Sequence, residues 1–256
     1  MSIPRVRDRI VQAATRIVIE PIFEADFLPC SFGFRPRRSQ HDALQVLIDE
    51  AWDGRRWVAE SDVSDCFGAI PHDRLMTVIE GRISDRHVLK LLRAMLRAGV
   101  MEDGAITRGA TGTPQGGVIS PCLCNVYLHR LDRQWTKRGH GVLVRYADDL
   151  LAMCRTREEA AAALAALRLI LAELGLELKD AKTQIVHLTE GGEGLGRAGA
   201  RCRRYRRSVS PTRPPNRLCG IQHNRLYVES PIMLSRACTN VCFTCSGRNR
   251  RPRRST

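Results

Sequence analysis

Near the middle of the chain, two apolar segments flank a tyrosine and two acids in the run Val144-Arg145-Tyr146-Ala147-Asp148-Asp149-Leu150-Leu151. Apolar residues at strand length run from Gly141 to Tyr146 and from Leu150 to Cys154, which predicts a β-hairpin whose tip is Ala147-Asp148-Asp149. Taken alone, an acid pair in a turn is usually a pair of solvated turn residues. The role of these acids therefore depends on which other residues the fold brings to them.

A third acid, Asp62, lies near the end of a short β-like segment, Arg56 to Val63. If this strand and the hairpin are neighbours in one sheet, its carboxylate can converge with those of Asp148 and Asp149. Carboxylate oxygens suit Mg²⁺, and two such ions about 3.5–4 Å apart can hold the attacking and leaving oxygens of an in-line phosphoryl displacement. The three acids are therefore candidate ligands of a phosphoryl-transfer site.

Helical and strand patterns alternate irregularly along the rest of the chain. Apolar spacing predicts helices over residues 7–27, 39–52, 72–82, 85–98, 120–137 and 156–174, and a last strand over 182–188. A loop rich in glycine, threonine and proline spans 108–117. Strands and helices mix without strict alternation, which predicts an α+β fold rather than a doubly wound sheet.

The net positive charge of the chain comes entirely from its last 60 residues. Of 41 basic and 27 acidic residues in the 256-residue chain, 15 arginines but only one acid lie in Arg197–Thr256, which leaves 26 of each sign before it. Five of the ten cysteines also lie in this tail. A basic composition that rests on the tail alone does not make the rest of the chain a nucleic-acid-binding surface.

Two classes of protein are excluded by the apolar pattern. The chain has no run of 18 apolar residues, so no membrane span is expected. The first nine residues lack the apolar core and cleavage site of a signal peptide, so a cytoplasmic location is expected.

Further motifs lie on both sides of the hairpin. The blocks are Ile3-Pro4-Arg5-Val6-Arg7-Asp8-Arg9, Leu28-Pro29-Cys30-Ser31-Phe32-Gly33-Phe34-Arg35-Pro36, Asp62-Val63-Ser64-Asp65-Cys66-Phe67, Gly112-Thr113-Pro114-Gln115-Gly116-Gly117-Val118-Ile119-Ser120-Pro121 and Glu177-Leu178-Lys179-Asp180-Ala181-Lys182-Thr183. Together with the hairpin, and in this order, they resemble the reverse transcriptase/maturase encoded by group II introns of bacteria. All of them in order are far more specific than Tyr-x-Asp-Asp alone. The resemblance covers about residues 3–194.

This resemblance implies an α+β right-hand polymerase palm with partial fingers. It places the fingers in residues 1–60 and the palm in 61–194. Neither the helical thumb nor the maturase domain of the family is recognisable after Gly194, so the thumb is expected to be absent.

The resemblance also gives each acid a role. Asp62, Asp148 and Asp149 fall where the family's catalytic acids lie, and the backbone carbonyl of Val63 would join them in binding two Mg²⁺ ions. Asp62 and Asp148 would be the main ligands of both ions, whereas Asp149 would support one.

Other matching positions concern the substrates. Phe67 would stack under the sugar of the incoming nucleotide and exclude a 2′-hydroxyl; its alternative is a core phenylalanine. Gln115 and Gly116 match the loop near the incoming nucleotide and the template, where a plain turn is the alternative. Tyr146 would pack beside the primer end.

Two cations match positions near the triphosphate. Lys182 corresponds to a lysine that protonates the leaving pyrophosphate, and a solvated lysine is the alternative. Arg9 would touch the triphosphate, or else form a salt bridge with Asp8 or a later acid. Asp65, three residues after Asp62, is expected to cap the following turn rather than bind metal.

Residues 195–256 depart from the family pattern. The segment has no period of 2 or 3.6, and an arginine- and cysteine-rich stretch is typical of a GC-rich gene translated out of frame. We therefore expect a disordered, frameshifted tail from Leu195. The alternatives are phosphate binding by the arginine clusters, and zinc binding that involves Cys242-x-x-Cys245.

The function implied by the resemblance is RNA-directed DNA synthesis with an ancestral role in intron mobility and splicing. The implied partners are an RNA template with a DNA primer, deoxynucleoside triphosphates and the host group II intron RNA. One alternative is a catalytically inactive fragment or RNA-binding remnant. Another is an unrelated nuclease or nucleotidyl cyclase with a similar palm, against which the Gln115 loop and the block from Phe32 to Pro36 argue.

Overall fold

The computed structural model describes residues 5–98, 100–102, 105–107, 112, 117–138 and 140–188. The helices are α1 (Val6–Glu24), α2 (Gln40–Trp52), α3 (Cys66–Ala69), α4 (His72–Glu80), α5 (Arg86–Arg97), α6 (Ser120–Arg138) and α7 (Arg157–Leu174). The strands are β1 (Trp57–Asp62), β2 (Val100–Glu102), β3 (Ala105–Thr107), β4 (Val142–Tyr146), β5 (Asp149–Cys154) and β6 (Gln184–His187), and a 3₁₀ turn spans Asp180–Lys182.

Local capping residues mark the ends of two of the predicted helices, α2 and α7. Ser39 begins α2 with a capping box, in which its side chain and that of Asp42 bond reciprocally to the backbone. Thr156 accepts a hydrogen bond from the Glu159 amide at the start of α7, and Gly175 ends the helix in the left-handed region at φ 74°. Both predicted helices are therefore confirmed.

One four-stranded sheet organises the described chain. Its strand order is β4-β5-β1-β6, and all three pairs are antiparallel. Most helices pack around this sheet rather than alternating with parallel strands, which confirms the predicted α+β class.

The two faces of the sheet bury different sets of side chains. Alternate residues such as Ala59 and Leu150 join the larger core with α6 and α7. Val58 and Leu151, on the opposite face, join a smaller core with α2 and Phe32. Because side chains alternate along a strand, Asp62 lies on the face of Val58, beyond the end of the smaller core.

Three details differ from the expected secondary structure. Asp149 belongs to β5, so the hairpin turn holds only two residues. The last strand begins at Gln184, because Lys182 ends a 3₁₀ turn. The small pair β2–β3 was not predicted, because three-residue strands are too short to show a period.

Several expectations fall outside the described residues. They concern Gln115 and Gly116, and the whole segment from 189 to 256. Within the ranges that the structure does describe, no helix is both long and apolar enough to cross a membrane.

Candidate active site

Asp62, the last residue of β1, lies directly opposite Asp149, the first residue of β5. One step further along, the Val63 amide donates a 3.2 Å hydrogen bond to the carbonyl of Asp148. The pair at 62 and 149 is therefore the neighbouring non-hydrogen-bonded pair, in which opposing Cα atoms are about 4.5 Å apart and side chains come closest. The strand register thus brings two of the three predicted acids together.

The third acid, Asp148, lies in the turn between β4 and β5. Tyr146 pairs with Asp149, so Ala147 and Asp148 alone form the two-residue connection. Ala147 takes the left-handed conformation at φ 57°, which a residue other than glycine adopts only under constraint. The turn is therefore held in place by its surroundings, and it presents Asp148 next to Asp149.

Gly33 supplies part of that constraint from the loop before α2. A Cβ atom at this position would lie 2.3 Å from the amide nitrogen of Ala147. Real side chains do not approach backbone so closely, so only glycine allows this contact. The loop that contains Gly33 therefore lies directly against the acidic turn.

Lys182 neutralises part of the negative charge. Its ammonium group donates a 2.6 Å hydrogen bond to Asp62 Oδ2, and the Asp62 side chain is only 8% exposed. This hydrogen bond raises the pKa of Lys182, and the charges of Asp62, Asp149 and Asp148 add to the increase, whereas burial opposes it. All three acids thus act electrostatically on one ammonium group.

Beneath the turn, a fully buried ion pair joins β4 to α6. Arg145 donates from Nε and Nη2 to the two oxygens of Asp132, at 2.8 and 2.7 Å, and both side chains are 0% exposed. Its Nη1 donates to Asn125 Oδ1 at 2.8 Å and to the carbonyl of Ala147 at 2.9 Å. Burial acts to lower the pKa of Arg145, but the charge and hydrogen bonds of Asp132, together with the nearby Cys124 and Cys30, raise that pKa overall.

The cluster of Arg145, Asp132 and Asn125 was not predicted from the sequence. The available signal was a charged residue, Arg145, between apolar residues of a predicted buried strand, and an acid, Asp132, within a predicted helix, four residues after Leu128 and three before Trp135. A buried charge requires a partner. The two residues are 13 positions apart, however, and no local spacing rule pairs them.

Two aromatic positions of the predicted site pack against different cores. Phe67 lies in α3, half-buried and packed against the larger core. Tyr146 ends β4 opposite Asp149 and packs against the smaller core. Asp65 precedes α3 as its N-cap residue, but its side chain makes no capping hydrogen bond, so the expected side-chain cap was wrong.

Arg9 is exposed on the first turns of α1. One turn further along the helix, Gln12 accepts a 2.8 Å hydrogen bond from the Val118 amide. This contact ties α1 to the segment that follows the Gln115 loop. Lys182 contacts one of the acids, Asp62, directly. Arg9 instead lies one helical turn before Gln12, which contacts the segment after the Gln115 loop.

The donor atoms at the end of β1 and β5 are all oxygens, which is the ligand set of Mg²⁺. Across the described ranges, no group of three or more His, Cys, Asp or Glu side chains is close enough to enclose a metal ion. Mg²⁺ rarely uses such a cage, because it binds through one or two carboxylates and completes its shell with water and substrate phosphates. The opposed carboxylates of Asp62 and Asp149 fit that mode of binding.

Comparison with known proteins points in the same direction. The family profile "Reverse transcriptase (RNA-dependent DNA polymerase)" matches residues 1–223. The group II intron-encoded protein LtrA of Lactococcus lactis is 41% identical over 133 residues, which cover 52% of this chain and 22% of LtrA. Protein YkfC of Escherichia coli is 35% identical over 234 residues, which cover 77% of this chain and 61% of YkfC.

Among solved structures, the apo telomerase of Candida tropicalis matches with a TM-score of 0.50 and 11% identity, over 73% of this chain and 37% of the telomerase. At this identity the match shows the shared fold alone. The chain spans between about a fifth and three fifths of the length of LtrA and YkfC. The matched family and these relatives confirm the resemblance read from the motifs: the chain belongs to the reverse transcriptase family and is related to the proteins encoded by group II introns.

Proposed function

We propose that this chain is the RNA-directed DNA polymerase part of a group II intron-encoded protein, with an ancestral role in intron mobility and splicing. The observation that carries the proposal is the pairing of Asp62 with Asp149 at the ends of two adjacent strands, beside a turn that holds Asp148. In-line phosphoryl transfer needs positioned negative ligands more than covalent chemistry from the protein.

The cofactor in this proposal is Mg²⁺, bound as two ions. Asp62 and Asp148 would be the main ligands, Asp149 would support one ion, and the Val63 carbonyl would complete the protein's share. When bound, the ions supply electrostatic stabilisation of the attacking and leaving oxygens. What the chain itself contributes is the spacing of the carboxylates: β-sheet pairing sets that of Asp62 and Asp149, and the two-residue turn places Asp148 beside them.

Lys182 fits a double role in this scheme. Its ion pair with Asp62 orients that carboxylate. An ammonium group is protonated at neutral pH, so it has a proton to give to the leaving pyrophosphate, although the raised pKa beside Asp62 makes it a weaker acid for as long as that contact lasts. To do so it must leave Asp62 Oδ2, and a cation that binds this oxygen would favour that movement.

The remaining site residues would bind the substrates. Phe67, five positions after Asp62, would exclude a 2′-hydroxyl, and Tyr146 would pack beside the primer end. Gln115 and Gly116 would lie near the incoming nucleotide and the template, and Arg9 near the triphosphate. The contact between Gln12 and Val118 supports this grouping, because it ties α1 to the segment just after the Gln115 loop.

The proposed partners follow from this activity. They are an RNA template with a DNA primer, deoxynucleoside triphosphates and the host intron RNA. Residues 1–60 would form partial fingers and 61–194 the palm. Group II intron-encoded relatives such as LtrA support the intron RNA as a partner.

Primer extension on polyriboadenylate with an oligodeoxythymidylate primer tests the proposal. The unaltered chain should incorporate deoxythymidine in Mg²⁺, and Asp62→Asn and Asp149→Asn should each abolish incorporation. Asp73→Asn, an exposed acid in α4, serves as the matched control and should leave the rate unchanged. Incorporation that survives both active-site substitutions would contradict the metal assignment, and no incorporation by the unaltered chain would favour an inactive fragment.

A further inference from the structure

We propose that Arg145 is a positioning residue, which with Asp132 and Asn125 fixes the two-residue turn that presents Asp148 and Asp149. This inference rests on the proposed function, since its purpose is to hold metal ligands in register. None of the three residues faces the substrate side of the sheet. Each acts through the backbone of the turn.

Asp132 sets the direction of the Arg145 guanidinium group. Arg145 uses one edge of its planar fork for both oxygens of Asp132, which fixes the plane of the group. With the plane fixed, Nη1 points at the carbonyl of Ala147, 2.9 Å away. Asp132 on α6 therefore sets where the Ala147 carbonyl can lie, and Ala147 directly precedes the two acids.

The side-chain amide of Asn125 makes a hydrogen bond on each side of the turn. Its Oδ1 accepts from Arg145 Nη1, and its Nδ2 donates to the carbonyl of Gly33 at 2.8 Å. Gly33 in turn lies against the Ala147 amide nitrogen. One amide side chain thus couples the two walls between which the turn is held.

Backbone pairing completes the enclosure. Arg145 donates its amide to the Cys30 carbonyl at 2.7 Å and accepts from the Phe32 amide at 2.8 Å. The strand that leads into the turn is therefore paired on its outer edge by the loop before α2. Ala147 is held in its left-handed conformation from below by Arg145 and from the side by Gly33.

Stability alone does not account for such a pair. Removing two charges from water costs about as much as their attraction returns, and apolar residues of similar volume often serve equally well. What an arginine adds is fixed geometry, because a lysine is a point charge that cannot make the same four directed bonds. The specific effect of this buried cluster is to fix the position of the Ala147 carbonyl.

The test compares metal binding with stability. Arg145→Lys keeps the buried charge opposite Asp132 but loses the fork. The double substitution Arg145→Met with Asp132→Leu removes both charges. Arg138→Gln with Glu173→Gln is the matched control, because it removes an exposed ion pair at the far end of the same helix. Mn²⁺ binding is measured by electron paramagnetic resonance, and folding is measured by circular dichroism. Primer extension is measured at a series of Mg²⁺ concentrations.

We expect both Arg145 variants, at temperatures where circular dichroism shows them folded, to bind Mn²⁺ about tenfold more weakly. Their synthesis should need correspondingly more Mg²⁺ and recover in part when it is supplied, which a general loss of folded protein would not produce. The control pair should leave both quantities unchanged. A folded Arg145 variant with the Mn²⁺ affinity and Mg²⁺ dependence of the unaltered chain would overturn the inference.

If neither Arg145 variant folds, Asn125→Ala decides the question. It leaves the ion pair intact and removes only the link between Arg145 and Gly33. We expect weaker Mn²⁺ binding, and an unchanged affinity would overturn the inference. Asp149→Asn separates this outcome from failure of the proposed function: if the unaltered chain binds Mn²⁺ no better than Asp149→Asn does, the proposed metal site itself is wrong, and the inference falls with it.

Discussion

The ammonium group of Lys182 lies 2.6 Å from the carboxylate of Asp62, and it joins the turn before the edge strand β6 to the end of β1. Asp149 lies opposite Asp62 on the other side. One cation therefore offsets two carboxylates that the sheet register forces together, and β6 is held near the site by a charge as well as by its backbone pairing.

Replacing this lysine should make the protein more dependent on divalent cations. Lys182→Met is expected to lower the free energy of unfolding by about 1 kcal/mol without Mg²⁺, because Asp62 loses its counter-charge. Added Mg²⁺ should recover more stability in the variant than in the unaltered chain. Thermal melts with and without Mg²⁺ measure both effects, with Lys90→Met, an exposed lysine in α5, as the control. An equal Mg²⁺ effect in both proteins would contradict this reading.

Asp149→Asn should act in the opposite direction on stability. Like charges opposite each other in a non-hydrogen-bonded pair are destabilising, so the variant is expected to be more stable without metal by up to about 1 kcal/mol. Polymerase activity should fall more than about 100-fold, because a metal ligand matters more than the groups that support one. Melting in chelator and primer extension in Mg²⁺ give the two values. A variant that is both less stable and active would show that the carboxylate has a structural role instead.

Phe67 allows a test of substrate choice. The side chain is half-buried against the larger core, so Phe67→Ala should cost some stability whatever else it does. If the ring also excludes the 2′-hydroxyl, the preference for deoxyribonucleotides should fall by about tenfold or more. Competition between deoxy- and ribonucleoside triphosphates measures this ratio. Phe27→Ala, which removes another half-buried ring from the same core, should cost stability without changing the ratio.

Buried thiols predict a pH limit on stability. Burial raises the pKa of Cys30 and of Cys122 to about 12, and that of Cys154 to about 11, from an ordinary 9.0. A raised thiol pKa means that the folded state favours the neutral form, so this stabilisation is complete below pH 9 and is lost as the pH rises toward 12. The folded protein should resist iodoacetamide at pH 8 at Cys122 and Cys154, which are buried, whereas Cys30 is only partly buried. Peptide mass mapping should find Cys122 and Cys154 alkylated only after unfolding. Alkylation in the folded state would contradict the buried placement.

Local chemistry explains which parts of the fold were predictable. Ser39, Thr156 and Gly175 act within a few residues of their own helix ends, so their signals are complete in the sequence. The two hairpin strands could also be predicted from the sequence, because polar residues bound their apolar runs. The α+β class follows from the order of such elements, and the family motifs extended that reading to the palm.

The parts that were missed depend on contacts between distant segments. Sequence patterns placed Asp149 at the tip of the hairpin, but the register between β1 and β5 makes it the first residue of β5, opposite Asp62. The role of Gly33 depends on a turn 114 positions later, and that of Arg145 on two residues of α6. Pairings of this kind are set by the tertiary fold, so no local spacing rule along the chain identifies both partners.

Gly33→Ala should test the close approach of that loop to the acidic turn. The added Cβ would meet the Ala147 amide nitrogen at 2.3 Å, and backbone cannot move aside as a flexible side chain does. We expect a loss of about 1–3 kcal/mol in the free energy of unfolding, and a larger relative loss of primer extension, because the displaced turn carries Asp148.

Gly81→Ala is the matched control, since a Cβ there meets its nearest neighbour at an ordinary 3.4 Å and the residue ends α4 in a right-handed conformation. This substitution should be neutral or stabilising by up to about 1 kcal/mol, because it restricts the unfolded chain without a clash. Urea unfolding of both variants gives the comparison. If Gly33→Ala matched Gly81→Ala in stability and in activity, the loop before α2 would not support the turn, and the positions of Asp148 and Asp149 would have to be set by β4 and β5 alone.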